Sequence, residues 1–220
     1  MKLPRDFYNR PTLEVARELI GKTLVHETPA GRTSGLIVEV EAYIGESDPA
    51  CHAAPGRTKR NAPLYGPPGI AYVYLNYGMH YLVNAVTEPI DSPAAVLIRA
   101  LEPFEGIELM RRRRARGTGK RAASFERNGL CRGPGNLTKS LAIDLAQNGL
   151  DLTGRELFIE DAPASMTEAF PIAWSTRIGI NVGKEQVWRA FVPGNPCVSG
   201  KSSLNGNGRS AAGDHLTSPA

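Results

Sequence analysis

The chain has 220 residues, 41% hydrophobic and 22% charged, with a formal net charge of +4 at pH 7 and a pI near 9.0. That is one ordinary domain, or one domain and a tail, with enough chain to bury a core; no run of about 18 apolar residues suggests a membrane-spanning helix. Cys51, Cys131 and Cys197 form no Cys-x-x-Cys pair, which argues against a disulfide framework, a zinc site and a zinc-dependent base deaminase.

The residues from Met1 to Asp6 lack the apolar stretch of a signal peptide, so a cytoplasmic location is expected, nucleoid-associated if the source is bacterial. The positive charge hints mildly at a polyanionic partner, and its placement matters more than its sum.

In chain order, residues 11–20 read as a helix, with Pro11 at its first position and Gly21 as its stop. Residues 23–27 and 35–43 read as strands joined by the turn Pro29-Ala30-Gly31-Arg32. Side chains alternate along a strand, so Glu39, Glu41 and Tyr43 share one face and Val38, Val40 and Ala42 the other. The valine face belongs to the core, and the carboxylates face something polar or a cleft.

Residues 45–69 carry five prolines and form a loop long enough to suggest function. Residues 71–75 and 80–87 read as a hairpin with Asn76-Tyr77-Gly78 at its tip, and 94–100 as a third strand. A helix is expected over 103–116, ending in Arg111-Arg112-Arg113-Arg114-Ala115-Arg116. Gly133-Pro134-Gly135 opens another helix, with Leu137, Leu141 and Leu145 in register and Gly149 as the stop. Residues 156–160, 172–180 and 188–192 read as strands. The chain thus divides into a folded unit over 1–199 and a Gly-, Ser- and Asn-rich tail over 200–220, expected to be disordered.

The window from Ile37 to Asn84 concentrates carboxylates, two histidines, a basic loop and six of the chain's seven tyrosines. Handling a base buried in duplex DNA requires a wedge to fill the hole, aromatic faces to grip the extruded base, and cations for the backbone. Breaking an N-glycosidic bond requires a carboxylate that steadies an oxocarbenium-like state and orients water. Tyr77 can serve as wedge, Tyr43 and Tyr74 as stacking faces, and Glu41 as base. Strand parity does not separate Glu41 from Glu39.

Several motifs together resemble the alkyladenine DNA glycosylases, the mammalian type of 3-methyladenine DNA glycosylase. They are Glu39-Val40-Glu41-Ala42-Tyr43 with His52, Tyr72-Val73-Tyr74, Tyr77-Gly78-Met79, Asn84 and Leu97-Ile98-Arg99-Ala100-Leu101-Glu102-Pro103. The likeness continues through Gly133-Pro134-Gly135-Asn136-Leu137, Thr176-Arg177-Ile178-Gly179 and Gly194-Asn195-Pro196-Cys197-Val198-Ser199. The resemblance selects Glu41 as the group that activates water and Tyr77 as the intercalating residue. It places Tyr43, His52, Tyr74 and Asn84 in the base pocket and Arg99 near the carboxylate and the DNA backbone, where Arg57, Lys59 and Arg60 are further candidates.

The same resemblance implies an α+β fold, a single mixed domain with a curved antiparallel sheet flanked by helices, similar to the C-terminal domain of methionyl-tRNA formyltransferase. It implies a monomer acting on double-stranded DNA that carries alkylated or deaminated purines, with no metal or other cofactor. The expected product is an abasic site without strand cleavage.

Taken singly, each of these residues has an ordinary reading: a solvated strand glutamate, packing tyrosines, a loop histidine, a solvated basic helix end. Two other functions compete. A nucleic-acid-binding module without catalysis has no use for a strand carboxylate beside a wedge tyrosine. A carbohydrate hydrolase could use Glu39 and Glu41, which would lie roughly 6–7 Å apart by strand rise, near the inverting range. The basic flanks and the absence of tryptophan from this window argue against it.

Overall fold

Strand β2 (Gly31–Ile44) runs through the middle of the architecture and changes partner along one edge. In the computed structural model, which describes residues 1–163, 165, 170–200 and the backbone of 209–210, its first half pairs with β1 (Thr23–Thr28). Further on, Glu39 to Glu41 pair with β8 (Arg189–Phe191). The opposite edge of β2 pairs with β5 (Ala94–Glu105).

Beyond β5 stand β4 (His80–Val86) and β3 (Ala71–Asn76), and beyond β8 come β7 (Ala173–Ser175) and β9 (Arg209–Ser210). β6 (Leu157–Glu160) pairs with β1, and among the described residues every strand pairing is antiparallel. The fold is a curled antiparallel sheet with helices packed on it, the expected α+β class.

The curl has a local cause. Pairing of β2 with β5 shifts register between Ile37 and Val40, and a bulge bends its strand and increases the twist. The bulge puts both Ile37 and Val38 into the core, after which alternation resumes with Val40 and Ala42 inward. Helices α2 (Thr12–Leu19), α3 (Ile107–Ala115) and α4 (Pro134–Leu141) cover that apolar face through Val15, Leu19, Met110, Leu137 and Leu141. A smaller cluster, including Cys51, Leu64, Tyr65, Tyr72 and Ala95, lies under the 45–69 loop. Among the described residues no helix is long and apolar enough to cross a membrane.

Several element boundaries differ from expectation. Pro11 caps α2 from outside it, and a short helix α1 (Arg5–Tyr8) precedes it. The helix expected from residue 103 starts only at Ile107, because β5 continues to Glu105. Pro103 fits there because it faces Gly35, where a Cβ would sit 2.8 Å from the Glu102 carbonyl oxygen. Gly106, at φ 71, then breaks the strand and begins α3.

Helix α4 stops at Ala142, in the left-handed region, and does not run on to Gly149. Asp144 and Gln147 form a capping box that opens a separate short turn, so Leu145 falls out of register and is 53% exposed. The strand expected over 172–180 is confined to β7; the chain from 176 onward is irregular and becomes part of the site. Of the expected tail, only Gly200 and the backbone of Arg209–Ser210, which pairs with β7, lie within the described residues.

Candidate active site

Strand β2 brings Glu39, Glu41 and Tyr43 to the side of the sheet away from the helices, as alternation requires. Both carboxylates are wholly buried, not solvated. A buried carboxylate is costly unless it is paired and hydrogen-bonded, and Arg99 of β5 pairs with both. Its Nε donates to Glu39 at 2.9 Å and its Nη1 to Glu41 at 3.1 Å.

The remaining partners separate the two glutamates. Glu39 also accepts from Arg189 Nε at 2.7 Å, from the Ser199 amide at 2.7 Å and from the Ser199 hydroxyl at 2.9 Å. Burial alone would raise its carboxyl, but Arg99 and Arg189 together hold it below the ordinary value. Glu41 accepts from the Tyr43 hydroxyl at 2.8 Å and from the Ile178 amide at 2.6 Å. Tyr43, Arg99 and Ile178 all line a cavity of about 430 Å³. Glu39 is therefore anchored in the protein interior, whereas every described hydrogen-bond partner of Glu41 borders the cavity.

The opposite wall is aromatic. Tyr72 and Tyr74 project from β3 with ring centroids 5.4 Å apart, and the His52 ring meets Tyr74 edge-on at 4.3 Å. His52 Nδ1 lies 2.8 Å from the Tyr72 hydroxyl oxygen. Burial, and then the nearby Arg60, lower the His52 pKa, favouring the neutral ring. Burial raises the phenols of Tyr43, Tyr74 and Tyr72, the last to about 12, so all three stay protonated at neutral pH. Asn84, opposite Tyr72 in the β3–β4 pairing, donates its amide to the Tyr72 carbonyl at 3.0 Å and borders the cavity floor.

The loop holding His52 is ordered by Asn61, whose side-chain amide donates to the carbonyls of His52 and Gly56 at 2.8 and 2.9 Å. Its prolines and turns thus end in a defined wall.

Tyr77 occupies the tip of the β3–β4 hairpin with φ 48 and is 78% exposed, at the rim of the cavity. A bulky residue in the left-handed region is uncommon and strained. Arg57, Lys59 and Arg60 are exposed on the adjoining loop; Arg57 pairs with Asp91, and Arg60 donates to the Leu75 carbonyl.

Arg99, expected near the carboxylate and the DNA backbone, stands beside both carboxylates. It is 6% exposed, and its guanidinium binds Glu39, Glu41 and the Ser199 hydroxyl, because two buried carboxylates on β2 require a buried cation opposite them. The arginine run is also divided: Arg113 and Arg114 donate inward to the carbonyls of Ser140 and Leu130, while Arg112 and Arg116 face outward.

Residue-by-residue reading overlooked the roles of Ile178, Arg177, Arg189 and Ser199. Their signal was present in the segments Thr176-Arg177-Ile178-Gly179 and Val198-Ser199, but no local periodicity says that such segments fold onto β2. Among the described residues no cluster of His, Cys, Asp and Glu is suited to a metal ion.

Comparison with known proteins shows the family. Residues 6–196 match the model of the family described as methylpurine-DNA glycosylase (MPG). A protein of Methanocella arvoryzae, named "Putative 3-methyladenine DNA glycosylase", is 49% identical over 201 residues, covering 90% of this chain and 95% of its own. Proteins of the same name from Clostridium acetobutylicum and Chlorobium phaeobacteroides are 46% and 47% identical, covering 90% and 92% of this chain and 98% and 97% of their own. The chain belongs to the methylpurine-DNA glycosylase family, and it is a DNA glycosylase, a hydrolase of the N-glycosyl bond to methylpurines.

Proposed function

We propose that the protein works as a monomer on duplex DNA, turns an alkylated or deaminated purine out of the stack, and hydrolyses its N-glycosidic bond with water activated by Glu41. The observation that carries this reading is the partner set of Glu41: Tyr43, Arg99 and Ile178 all border the aromatic cavity. Tyr77 at the rim takes the space the nucleotide leaves, and Tyr43, His52 and Tyr74 enclose the base. Stacking on such faces contributes about 1–3 kcal/mol per base, which offsets much of an unstacking cost of a few kcal/mol.

In the reaction the water oxygen bonds to the anomeric carbon as the bond to the purine nitrogen breaks. The bonding pair leaves with the base, and the water proton passes to Glu41. A cationic base such as 3-methyladenine or 7-methylguanine departs neutral and needs no added proton; hypoxanthine departs as an anion and takes one from solvent water. Arg99 and the Ile178 amide hold the Glu41 carboxylate in position to take the proton of the attacking water.

In the free protein Glu41 is sealed by its partners, so seating the water requires the arriving sugar to open the space beside Tyr43. The reaction stops at the abasic site: among the described residues that line the cavity none is a lysine, the amine a strand-cutting lyase would use. Arg57, Lys59 and Arg60 follow the phosphates, and residues 1–199 form the catalytic unit.

The test is strand scission of a duplex carrying one hypoxanthine, with and without alkali, for wild type and Glu41→Gln. Scission by the wild type alone, and only after alkali, is expected. Scission without alkali would replace this mechanism with a lyase, and equal activity of Glu41→Gln would remove Glu41 from the chemistry.

A further inference from the structure

We propose that the buried Arg177–Asp48 ion pair is a positioning clamp that sets Tyr43 and Glu41 for the reaction without touching the substrate; the inference rests on the hydrolytic reading above. Arg177 forks onto Asp48, with Nη1 2.5 Å from Oδ2 and Nη2 2.8 Å from Oδ1. The same guanidinium donates to the Ala42 carbonyl at 3.1 Å and to the Gly183 carbonyl at 3.2 Å. Its carbon lies 4.7 Å from the Tyr43 ring centroid and 5.0 Å from that of Trp188.

These contacts converge on the site from several sides. Ala42 is the residue between Glu41 and Tyr43, so the clamp grips the strand at the point where both project. Ile178, next to Arg177 in the chain, directs its amide at Glu41. Asp48 also accepts from the amides of Ile44 and Ala50 at 3.3 and 3.0 Å, which ties down the loop whose residues Pro49 to His52 wall the cavity. Gly183 closes the opposite segment, whose residues Ile178 to Val182 form another wall. One cation thus joins two cavity walls, a stacking ring and the amide that orients the base.

Stability alone is a poor reason for such a pair. Taking both charges out of water costs about as much as their attraction returns, and apolar replacements of similar volume are often as stable. What an apolar pair cannot supply is direction: a planar fork fixes carbonyls and a carboxylate at set angles and stacks on aromatic rings at the same time. Reaction rate is sensitive to that direction, since a misplacement of about 1 Å can cost roughly 100-fold.

The test compares wild type, Arg177→Lys and Asp48→Asn by two readings, each on protein shown by urea titration to be folded at the assay temperature. One is the single-turnover rate of hypoxanthine release at saturating enzyme. The other is Kd for a duplex bearing an uncleavable abasic-site analogue. Arg177→Lys keeps the charge and loses the fork; Asp48→Asn keeps the shape and loses the counter-charge.

A rate loss of roughly 10- to 100-fold, with Kd within about twofold of wild type, is expected for both variants. Rates within about threefold of wild type, or a rate loss accompanied by a comparable rise in Kd, would overturn the clamp. Failure of the wild type to release the base would overturn the hydrolytic reading and the clamp with it.

Discussion

The Tyr43 hydroxyl donates to Glu41 Oε2 at 2.8 Å, two residues along the same strand face. Tyr43 is therefore both a wall of the cavity and a hydrogen-bond donor to the buried carboxylate, two roles that separate by substitution. Tyr43→Phe keeps the ring, and Kd for a damaged duplex should stay within about twofold of wild type. Tyr43→Ala should weaken that binding by about 1–3 kcal/mol, the contribution of a base–aromatic stack. Equal Kd values for the Phe and Ala variants, measured by fluorescence anisotropy, would remove Tyr43 from the stacking surface.

Arg99 neutralises Glu39 and Glu41 together. Among the described ion pairs, Arg99→Met leaves Glu41 without its cation and Glu39 with Arg189 alone. Removing one member of a buried charge group costs about 3–5 kcal/mol, so the urea midpoint should fall accordingly. Glu39 adds a pH signature. Its folded pKa is lowered, so its contribution is present above the ordinary 4.5 and is lost as pH falls through the folded value. Arg99→Met should flatten that acid loss.

Tyr77 trades stability for function in this reading. Its φ of 48 suits glycine better than tyrosine, and its ring has little to pack against. Tyr77→Gly should stabilise the fold by roughly 1 kcal/mol through relief of backbone strain. The same variant should lose most of its single-turnover activity on hypoxanthine duplex. A variant that is active and more stable would show that the wedge lies elsewhere.

His52 gives a pH window of its own. Burial, and then Arg60, hold its folded pKa below the ordinary 6.5. Below 6.5 the unfolded chain takes up the proton first, so stability falls as pH drops from 6.5 through the folded value. His52→Phe should remove that slope between thermal melts at successive pH values, and an unchanged slope would assign it to another group.

The exposed loop cations should act chiefly through salt-dependent binding. Lys59→Ala and Arg60→Ala should each reduce the slope of log K against log salt by about 0.9 if each meets one phosphate. Single-turnover rates at saturating enzyme should be unaffected. A slope equal to wild type would place the backbone elsewhere on the protein.

Sequence alone determined the features that depend on near neighbours. The hairpin and its tip at Tyr77 follow from β-branched and aromatic runs interrupted by Asn76, Tyr77 and Gly78, and β2 alternation from Val38 to Tyr43 follows from the two-residue period of a strand. Tertiary structure alone decided what those side chains face. Glu41 meets the Ile178 amide across 137 residues of chain, and Glu39 meets Ser199 across 160. Strand periodicity treats the two glutamates alike; only partners arriving from distant segments make one an interior anchor and the other a neighbour of the cavity. The same dependence on distant chain explains Arg99: its burial follows from the two carboxylates it faces across the β2–β5 pairing, a cost of desolvation that no local pattern records.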